Sequence, residues 1–195
     1  AGVLEDGQLP VEGVTGYTPT IKRAAYDPEE ARSLLRAAGA EGAQIEIFGM
    51  NIYKSLYEAI GAQLQEVGFR PTINAVEVAL WVQSFRNGSD AHIFYRGASY
   101  TGIFDADRVF THVSSSAKPF VVDPTWDQLM AAQRAELDPA ARQQKLIDCS
   151  KHLLDQSYIL YTFGGPAVSG TRAGVSGYDN ANGILTLFDN ITKQA

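Results

Sequence analysis

Apolar residues along the chain follow two periods. Ala31, Leu34, Leu35 and Ala38 fall at i, i+3, i+4 and i+7, which predicts an amphipathic helix with one stripe toward a core. Tyr26-Asp27-Pro28-Glu29-Glu30 marks its start. Asp27 serves as cap, Pro28 suits the first helical position, and the two glutamates favour the positive end of the dipole. Gly39 closes it. Residues 44–49 (Gln-Ile-Glu-Ile-Phe-Gly) then alternate with the period of a strand. Asn51 reads as the cap of a longer helix over about residues 53–67, with Leu56, Ile60, Leu64 and Val67 on one stripe and Gly68 at its end. A second strand is predicted over residues 70–76 and a helix with Trp81 and Phe85 over 77–86. A third strand follows over 90–96. Strand, helix, strand, helix, strand is the grammar of an α/β domain with parallel pairing.

The second half reads differently. A loop-rich passage over 97–124 precedes two helices, about 125–137 with Trp126, Leu129 and Met130, and 139–155 with Leu146, Cys149, Leu153 and Leu154. A short strand at about 158–163 and turn-rich segments complete the chain. Residues 1–25, rich in Gly, Pro and Thr without a sustained period, read as an extended connector. No internal repeat and no low-complexity tract is present.

The chain has 195 residues, 45% of them hydrophobic, which is enough for one core and at most two very small domains. Sixteen basic residues stand against 22 acidic ones, a net charge of -6. With no basic run, this balance speaks against binding to a nucleic-acid backbone or an anionic membrane surface. No apolar stretch approaches the roughly 20 residues that span a bilayer. The opening Ala-Gly-Val-Leu-Glu-Asp-Gly has neither a signal peptide's charged and apolar regions nor an initiator Met, so the chain reads as a mature product or a piece of something longer. The single cysteine, Cys149, excludes an intrachain disulfide and a multi-cysteine zinc site.

Catalytic patterns are weak. His92, His112 and His152 show no metal-ligand spacing and read as ordinary polar residues. Cys149 shares a stripe with Leu146 and Leu153 and reads as a packed small hydrophobe. Ser115-Ser116-Ala117-Lys118 matches Ser-x-x-Lys but lacks the partner motifs of penicillin-recognising enzymes, and Pro119 follows directly. Asp105 and Asp107 are a candidate acid–base pair, more simply read as caps or solvated loop residues. Asn87-Gly-Ser89 and Asn190-Ile-Thr192 are glycosylation sequons by pattern only. An α/β core with nine Tyr and nine Phe but no oriented catalytic set suits a binding module. The alternative is a hydrolase of unfamiliar α/β type using Asp105/Asp107 or Ser116.

Taken in order, several segments resemble the extracytoplasmic solute-binding proteins of peptide/opine/nickel ABC importers. Residues 26–39 (YDPEEARSLLRAAG) resemble that family's "YDPEKAKKLLAEAG" helix, and residues 59–68 (AIGAQLQEVG) its "AIQAQLKEIG" helix. Val76-Glu77, Trp81, Gly88 and Asp90 follow its "VE…W…G…D" segment. Asp138 and Arg142 follow its "D…R" helix opening, and Val175-Ser176-Gly177-Tyr178 its late "VKGY". The resemblance spans roughly residues 17–190. It implies the carboxy-terminal lobe of a two-lobe, type II (Venus flytrap) periplasmic binding protein, a mixed sheet flanked by helices. Residues 1–25 would then be an interlobe connector remnant, 26–176 the α/β lobe, and 177–195 a return segment toward the missing amino-terminal lobe. It further implies a non-enzymatic protein without cofactor or metal, working outside the bacterial cytoplasm. Its partners would be a peptide or other small solute, an ABC permease and that missing lobe. A chemosensory binding protein would carry the same lobe.

In open α/β sheets, ligands bind beyond the carboxyl ends of the strands. The candidate ligand-binding residues are therefore Met50 and Asn51 after the first strand, and Arg96, Ala98, Tyr100 and Thr101 after the third. Asn51 is expected to hydrogen-bond the solute, Tyr100 to stack or bond, and Arg96 to pair with a carboxylate. Where the family often carries Gly-Trp-x-x-Asp-Tyr, with its Asp on a peptide's α-amino group, this chain has Gly97, Ala98 and, at the Asp position, Thr101. Tyr158 also replaces a usual proline. A neutral threonine supplies no charge-assisted bond, which leaves a modified peptide, an opine, a sugar conjugate or another solute open as ligand.

Overall fold

The computed structural model describes residues 3–4, 7–96, 104–111, 113, 122–164, 170–178 and 191–193. In chain order the elements are β1 (Val3–Leu4), α1 (Pro28–Ala37), β2 (Gln44–Met50), a 3-10 turn (Asn51–Tyr53), α2 (Lys54–Glu66), β3 (Arg70–Val76), α3 (Val78–Asn87) and β4 (Ile93–Phe94). They continue with α4 (Asp107–Phe110), α5 (Pro124–Ala135), α6 (Pro139–Asp155), β5 (Phe163–Gly164), β6 (Val175–Ser176) and β7 (Thr192–Lys193). The chain divides into two compact units, one of residues 25–97 and 116–120, the other of 1–24, 98–115 and 121–195.

The first unit is built on a parallel sheet of order β3-β2-β4, as the alternating elements predict. β2 pairs with β3 from Gln44↔Arg70 to Met50↔Val76, and with β4 at Ile47↔Ile93 and Phe48↔Phe94. Successive side chains of a strand point to opposite faces. Phe48 and Phe94 stack at 5.3 Å on one face, where Phe94 meets Trp81 of α3 and Trp81 stacks on Phe85. On the other face, Tyr95 meets Tyr57 of α2. Helices thus cover both faces, and the central strand buries Ile47, Phe48 and Gly49.

Some helix faces differ from expectation. In α1, Asp27 caps as predicted, accepting from the Glu30 amide at 2.9 Å. Only Leu35 is buried, against Gly68, while Leu34 is 61% exposed, so the stripe narrows to a single leucine. In α2 the buried line is Tyr57 and Gly61, and the predicted Leu56, Ile60, Leu64 and Val67 are half-buried. Gly61 explains the shift: a Cβ there would stand 3.7 Å from Pro71 and Ile73, so the helix lies close on β3. The third strand shrinks from 90–96 to two residues. The Tyr95 amide still donates to the Phe48 carbonyl at 2.7 Å, but the Tyr95 carbonyl accepts from the Trp81 indole at 3.1 Å, taking it out of the ladder.

The second unit has its core on α4, α5 and α6. Ala106, Val109, Phe110, Trp126, Met130, Leu146, Cys149 and Leu153 form one buried cluster, with Phe110 edge-on to Trp126 at 5.6 Å. Pro139 opens α6 after its cap Asp138, and the helix runs over the predicted 139–155. Residues 7–24 are held by local and long-range polar contacts. The Gln8 side chain bridges both backbone groups of Thr18, and Gln143 accepts from the Gly16 amide and donates to the Tyr17 carbonyl. Gly16 has φ +100, and a Cβ there would meet Ala106 at 2.7 Å, so glycine is required where this segment crosses the helices. Two-residue pairs β1–β5 and β6–β7, both antiparallel, were not foreseen. The strand expected at 158–163 is reduced to Phe163–Gly164.

Candidate functional site

With order β3-β2-β4, the chain leaves β2 through α2 to one side, then crosses through α3 to the other. The carboxyl ends of β2 and β4 therefore form a topological switch point, the place where open α/β sheets leave a crevice for ligands. Met50 and Asn51 leave β2 there, and Tyr95 and Arg96 leave β4 beside them. Four named residues, two from each strand, thus share one edge. Ala98, Tyr100 and Thr101 lie outside the described residues.

Met50 is half-buried and Asn51 exposed. Asn51 is not the helix cap that its spacing suggested. It begins the 3-10 turn, and α2 starts behind Tyr53 without a side-chain cap. Its amide nitrogen instead donates to Glu77 Oε1 at 2.6 Å. Glu77 follows directly on Val76, the partner of Met50, so the parallel register places residues 51 and 77 side by side. Sequence reasoning missed Glu77 because it reads as the start of a helix; the signal was available once β2 and β3 are aligned in parallel.

Arg96 is half-buried, with its guanidinium 4.2 Å from the centre of the Phe85 ring. Burial pulls its pKa down to about 10. The arginine stays cationic at neutral pH and is held on an aromatic face. Tyr53 lies 4.7 Å from Tyr95, ring to ring, and Tyr57 lies 5.7 Å from Tyr95. Burial pushes the Tyr57 hydroxyl up to about 12 and drives Tyr95 higher still, so both stay neutral behind the edge. Gly49 makes room for them: a Cβ would stand 2.2 Å from the Tyr57 hydroxyl oxygen and 2.7 Å from Tyr95 Cβ.

The remaining candidates are tied into structure. Asp105 forms a two-pronged ion pair with Arg142, at 2.5 and 2.9 Å, which holds its carboxyl below the usual range. Asp107 accepts from Arg134 and Gln133. His92 accepts from the Glu46 amide, and His152 pairs with Asp123 at 2.6 Å. His112, Ser115, Ser116, Lys118 and Asn190 lie outside the described residues, while Asn87 is exposed at the end of α3. Cys149 is 0% exposed in the core, and burial pushes its thiol up to about 12, the opposite of a reactive thiolate. Among the described residues, no three His, Cys, Asp or Glu side chains are grouped to hold a metal, and no helix is long and apolar enough to cross a membrane.

No family model matches the chain. It is 34% identical over 101 residues to a dipeptide-binding protein of Pseudomonas aeruginosa PAO1, and equally to di/tripeptide-binding protein 3 of P. aeruginosa UCBPP-PA14. Each match covers 45% of this chain and 19% of the relative. Among solved structures, the binding protein AgaA of A. tumefaciens R10, in complex with agropinic acid, superposes with a TM-score of 0.77 at 21% identity. That match covers 100% of this chain and 43% of AgaA. Helicobacter pylori DppA, an ABC transporter-associated periplasmic binding protein in complex with peptide STSA, gives 0.77 at 16% identity, covering 100% of this chain and 40% of DppA. The resemblance drawn from the ordered motifs is borne out, as is the fold class: full coverage of this chain against about two fifths of its neighbours is the coverage of a single lobe.

Proposed function

We propose that this chain, which has the fold of a single lobe of the peptide/opine/nickel periplasmic binding proteins and resembles dipeptide-binding proteins in sequence, is the carboxy-terminal lobe of an extracytoplasmic solute-binding protein that feeds an ABC permease. The observation that carries this reading is the switch point of the sheet, where Met50–Asn51 and Tyr95–Arg96 leave adjacent parallel strands at one edge. Among the described residues, polar and aromatic groups converge there: the Asn51 amide, the Arg96 guanidinium and the Tyr53 and Tyr95 rings. Such an edge suits capture of a small solute rather than its conversion.

The solute binds between this lobe and the amino-terminal lobe that the relatives' greater length implies. Closure is a hinge motion, and the solute drives it by binding the closed arrangement better than the open one. Asn51 and Arg96 supply polar contacts from this side, with the half-buried Met50 as apolar floor. The Arg96 guanidinium takes an anionic group of the solute.

The test is isothermal titration of the protein that carries this lobe against panels of peptides, opines and sugar conjugates. One tight ligand is expected. Asn51→Ala should weaken it about tenfold, the cost of roughly one hydrogen bond to a polar partner. Silence across every panel would overturn the transport reading.

A further inference from the structure

We propose that Glu77 is a specificity residue of this edge and that it receives a protonated amine of the bound solute. The inference rests on the solute-binding reading above and adds to it the sign of the group recognised.

Glu77 occupies the position before α3 that a capping residue would take, with extended backbone at φ -63 and ψ 150. Three other acidic residues in such positions turn back on their own helices: Asp27 onto Glu30, Asp123 onto Thr125 and Trp126, Asp138 onto Ala141. Glu77 makes no such bond to α3. Its carboxylate reaches across the sheet edge, where Asn51 fixes one oxygen at 2.6 Å. A neutral amide orients a carboxylate without neutralising it. Among the described residues no Lys, Arg or His ion-pairs with it, and the segment 97–103 that continues from β4 contains no basic residue.

An oriented, ionised carboxylate with one oxygen still available is a receptor for a cation. The neighbouring 3-10 turn carries Tyr53, whose ring packs on Tyr95, and such faces attract ammonium groups further. A compact ammonium donates strongly to a carboxylate, and neither a hydroxyl nor an acylated amine matches it. Arg96 stands on the far side of β2, so the edge presents a negative group over β3 and a positive one beside β4. A solute carrying an amine and an acid matches that polarity.

The experiment uses the protein that carries this lobe. Dipeptides and opines are each titrated beside their N-acetyl derivatives, with wild type and with Glu77→Gln. Amine-bearing members should bind, and acetylation should weaken them at least tenfold. Glu77→Gln should weaken the amine-bearing members at least tenfold and shift the N-acetyl forms less than twofold. An unchanged melting temperature guards against a folding defect, and Glu77→Asp should recover part of the preference for amines. Equal binding of amine and acetylated forms by wild type, or amine binding untouched by Glu77→Gln, would overturn this inference while leaving solute binding intact. Silence of wild type toward every dipeptide and opine would overturn this inference, and silence toward sugar conjugates as well would overturn both.

Discussion

At Gly49 the sheet leaves no room for a Cβ beneath the Tyr57 side chain of α2. The atom that any other residue would add lies inside the van der Waals radius of the Tyr57 ring and hydroxyl, and Tyr95 blocks escape toward β4. Neither neighbour can withdraw easily, because both rings are packed against other aromatics. Gly49→Ala should therefore destabilise the protein by about 1–3 kcal/mol, the usual cost of overpacking, read as a lower urea midpoint with unchanged slope. The Tyr57 hydroxyl itself is buried with no side-chain partner, and burial is what pushes its pKa up to about 12. A buried polar group left unpaired costs free energy. Tyr57→Phe should accordingly be neutral or slightly stabilising in the same titration, an outcome opposite in sign to the usual loss on trimming a core residue.

Between residue and fold stand the helix starts, legible in the sequence at α1, where Asp27 caps as predicted, and misread at α2, where Asn51 does not cap. Asp-Pro opens α1 at Asp27, α5 at Asp123 and α6 at Asp138, and each aspartate bonds the amides ahead of it. That signal is local, since the cap and the bonded amides lie within three residues. The two-residue strands were not legible, because β1 finds its partner β5 roughly 160 residues later and nothing near either one encodes the pairing. The candidate edge was legible only as far as local pattern reaches. The alternation of strands and helices located the edge at Met50–Asn51 and Arg96, but Glu77 and the Asn51–Glu77 bond depend on strand register, which periodicity does not give. Asp123 does more than cap. It takes hydrogen bonds from His152 and Tyr158 as well as from the amides of α5, and the His152 bond is the foremost reason its pKa falls to about 2. Its folded pKa lies below its ordinary value, so its stabilisation is complete above about pH 4 and drains away as pH falls toward 2. Asp123→Ala should lower the melting temperature by about 2–4 °C at pH 7, and the gap to wild type should close between pH 4 and 2.

For the molecule as a whole, one atom reports on the second unit. Cys149 is the chain's only cysteine and sits at the centre of the cluster formed by α4, α5 and α6. Its thiol is shielded twice over: no solvent reaches it, and burial holds it protonated far above neutral pH. A thiol reagent needs both access and thiolate. Reaction therefore requires opening of the helical core, not local fraying, and its rate measures the population of that opened state. In native buffer at pH 8, modification by a disulfide reagent should run at least a thousandfold slower than in 6 M guanidinium, because a domain of ordinary stability opens its core less often than that. The rate should rise with added urea in step with loss of Trp126 fluorescence, measured in a Trp81→Phe background so that the first unit is silent. Fast modification in native buffer, or modification that outruns the Trp126 signal, would mean that α6 separates from α4 and α5 without unfolding. The helical cluster would then be a moving part rather than a fixed one.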